Sequence, residues 1–309
     1  MNKTSPLLSI LVGSKDRPYA VVRCLKSVLA QVYENLEILI LDDNSKENLC
    51  ETIAQEFTDS RIRCIRSDTT LGVAAGRNKL IKQAKGDFLI TLDDDAAFRN
   101  NDSLNKIIGL FNSYPDVGLL SFKIIDIINE RQVATRVPYP KMAIKRNPEI
   151  INTPQYVSYF LGGGHAVRKS VLDTCGLYQG DFLFGGEELD LSYRIIESGY
   201  TLFYIPDIVV EHYPDRSNRL TKVGREGYPY FLMRNKIWIN YKYLPWFAFF
   251  TNTILWCAIR LTFSVRNWGF VQVLRGIKDG FRNLKRLKRT PVSNSTITYL
   301  RHNYGRLFF

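Results

Sequence analysis

Three short, largely apolar runs in the N-terminal third each stop abruptly at a polar cluster, and this pattern restricts the chain to few folds. Leu7 to Val12 runs into Gly13-Ser14-Lys15-Asp16-Arg17-Pro18, Leu36 to Leu41 into Asp42-Asp43-Asn44-Ser45, and Phe88 to Leu92 into Asp93-Asp94-Asp95. Runs of this length bounded by turn residues suit buried strands. Between the first two, Tyr19 to Gln31 carries Val22, Leu25, Val28 and Leu29 at three- and four-residue steps, the spacing of an amphipathic helix. Further helices are predicted to about Phe57, over Val73 to Lys85 and over Ser103 to Tyr114, with strands at Arg61 to Arg66 and Gly118 to Lys123. Such alternation specifies right-handed βαβ units and a mostly parallel α/β sheet. Ligands of these sheets bind beyond the carboxyl ends of the strands, where all three polar clusters fall.

The next stretch is less regular. Arg131 to Pro154 contains Pro138, Pro140, Pro148 and Pro154 and reads as a connecting loop. Tyr156 to Leu161, a turn at Gly162-Gly163-Gly164, a helix after Arg168 and a helix from about Glu187 to Ser198 follow. The five cysteines are odd in number and form no CxxC pair, which points to a reducing cytosol and away from a disulfide framework or zinc site. Met1 to Pro6 is polar and Leu7 to Val12 too short for a secretory signal. Neither GxGxxG nor GxxxxGK[ST] follows the first strand, which disfavours dehydrogenase and phosphate-loop classes.

Asp93-Asp94-Asp95 is the sharpest chemical signal. Alternate residues at a strand end point the same way, so Asp93 and Asp95 are expected to converge on one ion. Carboxylate oxygens completed by substrate phosphates suit Mn²⁺ or Mg²⁺. A merely solvated turn leaves three adjacent like charges uncompensated. Asp43 reads either as a helix cap or as an acceptor for a nucleobase or ribose. Glu187-Glu188-Leu189-Asp190 opens a helix, where acids favour the dipole, yet it follows the flexible Phe184-Gly185-Gly186. A carboxylate poised there can serve as general base. His212, one of three histidines, follows the apolar Ile205 to Val210 and is either structural or a metal ligand.

In order along the chain these motifs resemble glycosyltransferase family 2, inverting enzymes with the GT-A fold, over about residues 7 to 240. Ser9-Ile10-Leu11-Val12-Gly13-Ser14-Lys15-Asp16-Arg17-Pro18 is similar to the family's opening SxVIPTYNRP, with Gly13 departing from its Pro-Thr. Leu41 to Ser45 resembles VDDxS, and Gly72 to Asn78 resembles GxxxARN with Gly76 in place of Ala. Leu92 to Asp95 matches the DxD element, Gly162-Gly163-Gly164 the acceptor-side glycine turn, and Phe184 to Arg194 the xED-x-DLxxR block. The resemblance implies a metal-dependent hexosyl- or deoxyhexosyltransferase. Glu188 would be the base, with Glu187 as fallback. The donor would be held by Gly13, Ser14, Arg17, Asp43, Arg77, Asp93 and Asp94. Asp95 with Asp93 or His212 would hold the metal, and Gly162, Gly163, Gly164 and Asp190 would face the acceptor. Implied partners are a nucleotide-diphosphate-sugar and a glycan or lipid-linked acceptor in cell-surface polysaccharide synthesis.

The C-terminal segment, 241–309 against a catalytic 1–240, carries much of the formal charge of +12. From Arg260 onward Asp279 is the only acid. Leu244 to Ile259 is uncharged but, at sixteen residues, short for a spanning helix. Phe270, Val273, Ile277, Phe281 and Leu284 recur at helical steps among Arg275, Lys278, Arg282, Lys285 and Arg286. That is a basic amphipathic helix, expected to dock peripherally on an anionic, cytoplasmic membrane face. Two rival readings follow: a binding protein that has lost catalysis, and a nucleic-acid binder using the basic tail. The intact Glu188 and acidic triplet argue against the first. The lack of aromatics interleaved with the bases argues against the second.

Overall fold

Period-two alternation organises the core. Leu8, Ile10 and Val12 of β1 (Leu8–Ser14) join one buried apolar cluster and Leu11 joins another, so the strand is covered on both faces. The computed structural model describes residues 5–182, 185–214, 222–266, 269–305 and Leu307. After β1 come α1 (Pro18–Leu29), β2 (Leu36–Asp42), α2 (Leu49–Glu56), β3 (Ile62–Arg66), α3 (Val73–Gln83), β4 (Phe88–Asp93), β5 (Ala96–Phe98) and α4 (Ser103–Ser113). The chain continues through β6 (Val117–Ile128), β7 (Arg131–Arg136), α5 (Lys141–Arg146), β8 (Gln155–Val157), β9 (Gly164–Arg168), α6 (Lys169–Cys175), α7 (Glu187–Glu197) and β10 (Thr201–His212). Four helices close it: α8 (Lys222–Tyr243), α9 (Trp246–Arg266), α10 (Phe270–Arg282) and α11 (Asn294–His302).

The sheet order is β3-β2-β1-β4-β9-β6-β10-β5, with β7 on β6 and β8 on β10. β3, β2, β1 and β4 are mutually parallel, as their crossover helices require. β9 then enters antiparallel between β4 and β6, so the sheet is mixed rather than parallel throughout. The expected loop over 131–154 also holds more structure than its prolines suggested. They begin only at Pro138, leaving Arg131–Arg136 free to pair with β6 as an exposed edge strand.

The cysteine expectation is corrected. Cys50, in the first turn of α2, and Cys64, in β3, form a disulfide across Cα atoms 5.4 Å apart. The α2 helix and β3 are consecutive and pack together, which brings together two cysteines with no motif spacing.

The C-terminal helices are fastened to the sheet domain, and residue 240 falls inside α8. Tyr299 of α11 accepts from the Leu202 amide and donates to the Val157 carbonyl. Against α8, α10 presents Gly276 and Gly280, whose missing side chains admit the Tyr230 carbonyl and Ile237. The α9 helix packs Ala248 and Phe249 into the core and buries polar side chains beside them. Its buried face carries Asn252 and Thr253, both bonded to Asn240, while Phe247, Phe250 and Ile254 are exposed. By length and composition Trp246–Ser264 reaches the nineteen residues of a membrane-crossing helix, because the apolar character continues past Arg260.

Candidate active site

In-register pairing lines up the strand ends: Gly13 lies beside Leu41 and Asp93, and Ser14 beside Asp42. The three polar clusters therefore share one edge of the sheet. A side chain at Gly13 would meet nothing within 4 Å, so this strand end borders open space. Asp43 is buried and accepts from the amides of Leu71 (2.7 Å) and Gly72 (3.0 Å). It thereby sets the entry to α3, the helix that carries Arg77.

The three aspartates do not act as an alternating pair. The β4 strand ends at Asp93, and the chain turns at Asp94 and Asp95, so strand alternation no longer applies. Asp93 faces Arg77, 3.3 Å from Nη2, instead of joining Asp95. Asp94, expected on the donor, is turned inward at 1% exposure. It accepts from Ser14 Oγ at 2.6 Å and pairs with Arg17 Nη2 at 2.5 Å. Burial pushes its carboxyl up to about 7 against the pull of Arg17. Asp95 takes Arg17 Nη1 at 2.8 Å and faces His212 Nε2 at 3.4 Å. His212 ends β10, and its Nδ1 lies 2.8 Å from Asp126 Oδ1.

Arg77 is the buried hub. Its Nη2 donates to the Gly162 carbonyl at 2.9 Å and its Nη1 lies 3.7 Å from Glu188 Oε1. Burial opposes its charge, but Tyr178, Asp93 and Glu188 outweigh that and hold it protonated. Asn78, next along, brackets the Tyr178 backbone with both ends of its amide (2.8 and 3.0 Å). Below Tyr178, the buried His165 lies 2.9 Å from the phenol oxygen. Burial and then Arg77 push this imidazole down to about 3, which keeps it neutral.

The α7 helix is entered through Gly185 and Gly186, both at positive φ (+76° and +99°), conformations that need glycine. Glu188 then lies directly on Gly162, where any Cβ would overlap its Oε1. A Cβ at Gly163 would come within 2.9 Å of Asp93 Oδ2. The first two glycines are thus the floor on which both carboxylates rest. Gly164 is instead buried inside β9 against Val210, a sheet position rather than a turn. Glu187 is buried and pushed up to about 8, by burial first and Glu188 second. Glu188 retains partial exposure, and burial raises it too, with Arg77 opposing.

Asp190, expected on the acceptor side, is fully buried. It binds Arg194 (2.8 Å), Lys242 (2.7 Å) and the Tyr243 hydroxyl (2.7 Å), which joins α7 to α8. The helix dipole is not what holds it; three donors are. Sequence reasoning missed Asp126, a lone acid in the apolar Ile124 to Ile128, and that isolation was a usable signal. It also missed Asn235, which donates to the Gly185 carbonyl, and Arg234, which donates to that of Asp181. Nothing local marks those two.

The two side chains here that could share a divalent cation are Asp95 and His212, 3.4 Å apart. Among the described residues no three His, Cys, Asp or Glu side chains gather as a complete cage. His212 Nδ1 lies against Asp126 while Nε2 faces Asp95 Oδ1, an arrangement that could accommodate a cation with its remaining positions left to phosphate oxygens or water.

The fold is of the GT-A type, with the polar strand ends on the edge where such sheets bind ligands. The family model for Glycosyl transferase family 2 matches residues 9–176, and the chain belongs to this family. It is 37% identical over 171 residues to the UDP-Glc:alpha-D-GlcNAc-diphosphoundecaprenol beta-1,3-glucosyltransferase WfgD of Escherichia coli. That match covers 55% of this chain and 57% of WfgD, so the chain spans little more than half the relative's length. Residues 1-349 of S. aureus TarS, solved in complex with UDP-GlcNAc, superpose with a TM-score of 0.64 at 16% identity, over 90% of this chain and 81% of that one. The mannosyltransferase PcManGT from Pyrobaculum calidifontis, solved with GDP-Man and Mn²⁺, gives 0.57 at 15% identity, over 97% and 75%.

Proposed function

We propose that this enzyme transfers a sugar, with inversion, from a nucleotide-diphosphate donor to a hydroxyl of a lipid-linked glycan, using Mn²⁺ or Mg²⁺. The observation that carries the reading is Glu188 resting on the Gly162 floor and linked through Arg77 to Asp93. A single displacement requires one base on the acceptor side of the anomeric carbon. Glu188, held by Arg77 and partly open to the cleft, takes the hydroxyl proton on a carboxylate oxygen. Gly13, Ser14 and Asp43 line the nucleoside side, and Arg17, a third exposed at the acidic turn, meets the diphosphate. Asp95 and His212 hold the cation, which when bound neutralises charge developing on the leaving diphosphate. Mn²⁺ in the PcManGT complex and the undecaprenol-linked substrate in WfgD's name support these choices.

Residues 241–309 form the docking segment, seating the enzyme peripherally on the cytoplasmic face of an anionic membrane, where a lipid-linked acceptor lies. The exposed apolar face of α9 and the basic residues of α10 support this. The test is a panel of UDP-Glc, UDP-GlcNAc and GDP-Man with Mn²⁺ and a polyprenyl-diphosphate sugar acceptor. The expected result is a product of inverted anomeric configuration by NMR and turnover cut by about two to four orders of magnitude in Glu188→Gln. A retained configuration, or an undiminished Glu188→Gln, overturns the reading.

A further inference from the structure

The strand register makes Asp126 and His212 direct neighbours, His212 beside Asp126 on one side and beside Ala96 on the other. Both residues lie at strand ends that are buried, and the imidazole sits 2.8 Å from Asp126 Oδ1 through Nδ1. Asp126 is itself held from its other side. Arg136, on β7, donates to Oδ2 through Nη2 at 2.7 Å and Nε at 3.1 Å. The carboxylate thus cannot rotate away from the ring without losing a two-pronged ion pair.

A carboxylate beside a guanidinium is an acceptor only, so Nδ1 is protonated toward it, which leaves Nε2 as the nitrogen whose lone pair a cation can take. Nε2 stands 3.4 Å from Asp95 Oδ1, longer than a good N–H···O bond and close enough for both atoms to reach one cation. We propose that Asp126 is a positioning residue: through β7–β6–β10 pairing it fixes His212 as the Nδ1–H tautomer and aims Nε2 at the cation. This rests on the cation reading above. Partners of this kind around metal-bound histidines typically account for about 10–100-fold in metal affinity.

The test is Mn²⁺ binding to the full chain by electron paramagnetic resonance, with UDP and separately GDP present, plus ¹⁵N NMR of the His212 ring. Three histidines occur in the chain, and His212→Gln identifies the signal. Asp126→Leu should weaken Mn²⁺ binding by about 10–100-fold and move the ring proton to Nε2. Asp126→Asn keeps an acceptor for Nδ1–H and should restore the tautomer and most of the affinity. Asp95→Ala should abolish binding. If Asp126→Leu binds Mn²⁺ as wild type does while Asp95→Ala does not, the positioning role is wrong and the cation reading stands. If wild type binds no Mn²⁺ with either nucleotide, both fall. Should Asp126→Leu fail to fold, the wild-type spectrum still decides, because an Nε2–H ring overturns the proposal.

Discussion

Arg77 Nη1 stands 3.7 Å from Glu188 Oε1 inside the protein, and its Nη2 reaches Asp93, so one guanidinium ties Glu188 to the acidic strand end. Burial raises the Glu188 carboxyl and Arg77 draws it back. A base works only when deprotonated, so the acid limb of kcat should lie above the range of an ordinary carboxylate. Arg77→Gln removes the opposing charge, raises Glu188 further and should move that limb to higher pH. Glu188→Gln should cut kcat by about two to four orders of magnitude with little effect on nucleotide affinity. An acid limb that stays put in Arg77→Gln would show that Arg77 serves the donor alone.

The glycine floor gives a second expectation. Gly162→Ala introduces a methyl where Glu188 Oε1 now lies, so the carboxylate is displaced. A shift of about 1 Å at a reacting group can cost on the order of 100-fold in rate. Nucleotide binding, on the other side of the cleft, should persist. Gly13→Ala, with nothing within 4 Å, is the matched control and should be mild in stability. A Gly162→Ala enzyme that keeps the wild-type kcat would refute the floor as a catalytic feature.

Asp190 is a structural bolt. Asp190→Asn leaves Arg194 and Lys242 buried without their counter-charge, a change that costs about 3–5 kcal/mol. The urea midpoint should fall with an unchanged slope. If stability holds and only the acceptor KM rises, Asp190 belongs on the acceptor after all.

The βαβ layout was legible because each buried strand shows as an apolar run and each ligand-facing end as a polar break. The roles of the three aspartates were not, because the turn after Asp93 and the partners Arg17, Arg77 and His212 are set by contacts distant in sequence. Asp190 looked like a site residue because it follows Glu187 and Glu188 at the same helix start; its burial depends on Lys242 and Tyr243 of α8, more than fifty positions away. The exposure of Phe247, Phe250 and Ile254 on α9 was likewise invisible, for polar and apolar positions are seen in sequence but inside and outside are not.

The disulfide yields a direct count. Cys24, Cys175 and Cys257 are free, so denatured, unreduced protein should titrate three thiols and reduced protein five. Closing a loop of 14 residues contributes roughly 3 kcal/mol in the chain-entropy view, so Cys50→Ser should lower stability by about that much. Five thiols before reduction would dismiss the pairing.

The α9 helix exposes Trp246 (54%), Phe247 (75%), Phe250 (53%), Ile254 (66%) and Phe263 (59%) while hiding its asparagine and a threonine. In water that arrangement is costly, since each exposed large side chain forgoes about 1.5–3 kcal/mol of burial. On α10, Phe270, Val271, Leu274 and Phe281 are exposed beside Arg275, Lys278 and Arg282, with Lys285 and Arg286 following. Apolar side chains to insert and cations to meet headgroups are what an anionic bilayer surface selects. Each basic residue contributes on the order of 1 kcal/mol there. Reversing Lys278, Arg282, Lys285 and Arg286 to Glu should therefore weaken binding to phosphatidylglycerol vesicles by at least roughly three orders of magnitude. Phe247, Phe250 and Ile254 changed to Ser should weaken it in neutral vesicles too, and high salt should release wild type only in part. Wild type that ignores anionic vesicles even at low salt would end the docking reading. Resistance to alkaline carbonate would instead mean that the nineteen-residue stretch Trp246–Ser264 of α9 crosses the bilayer.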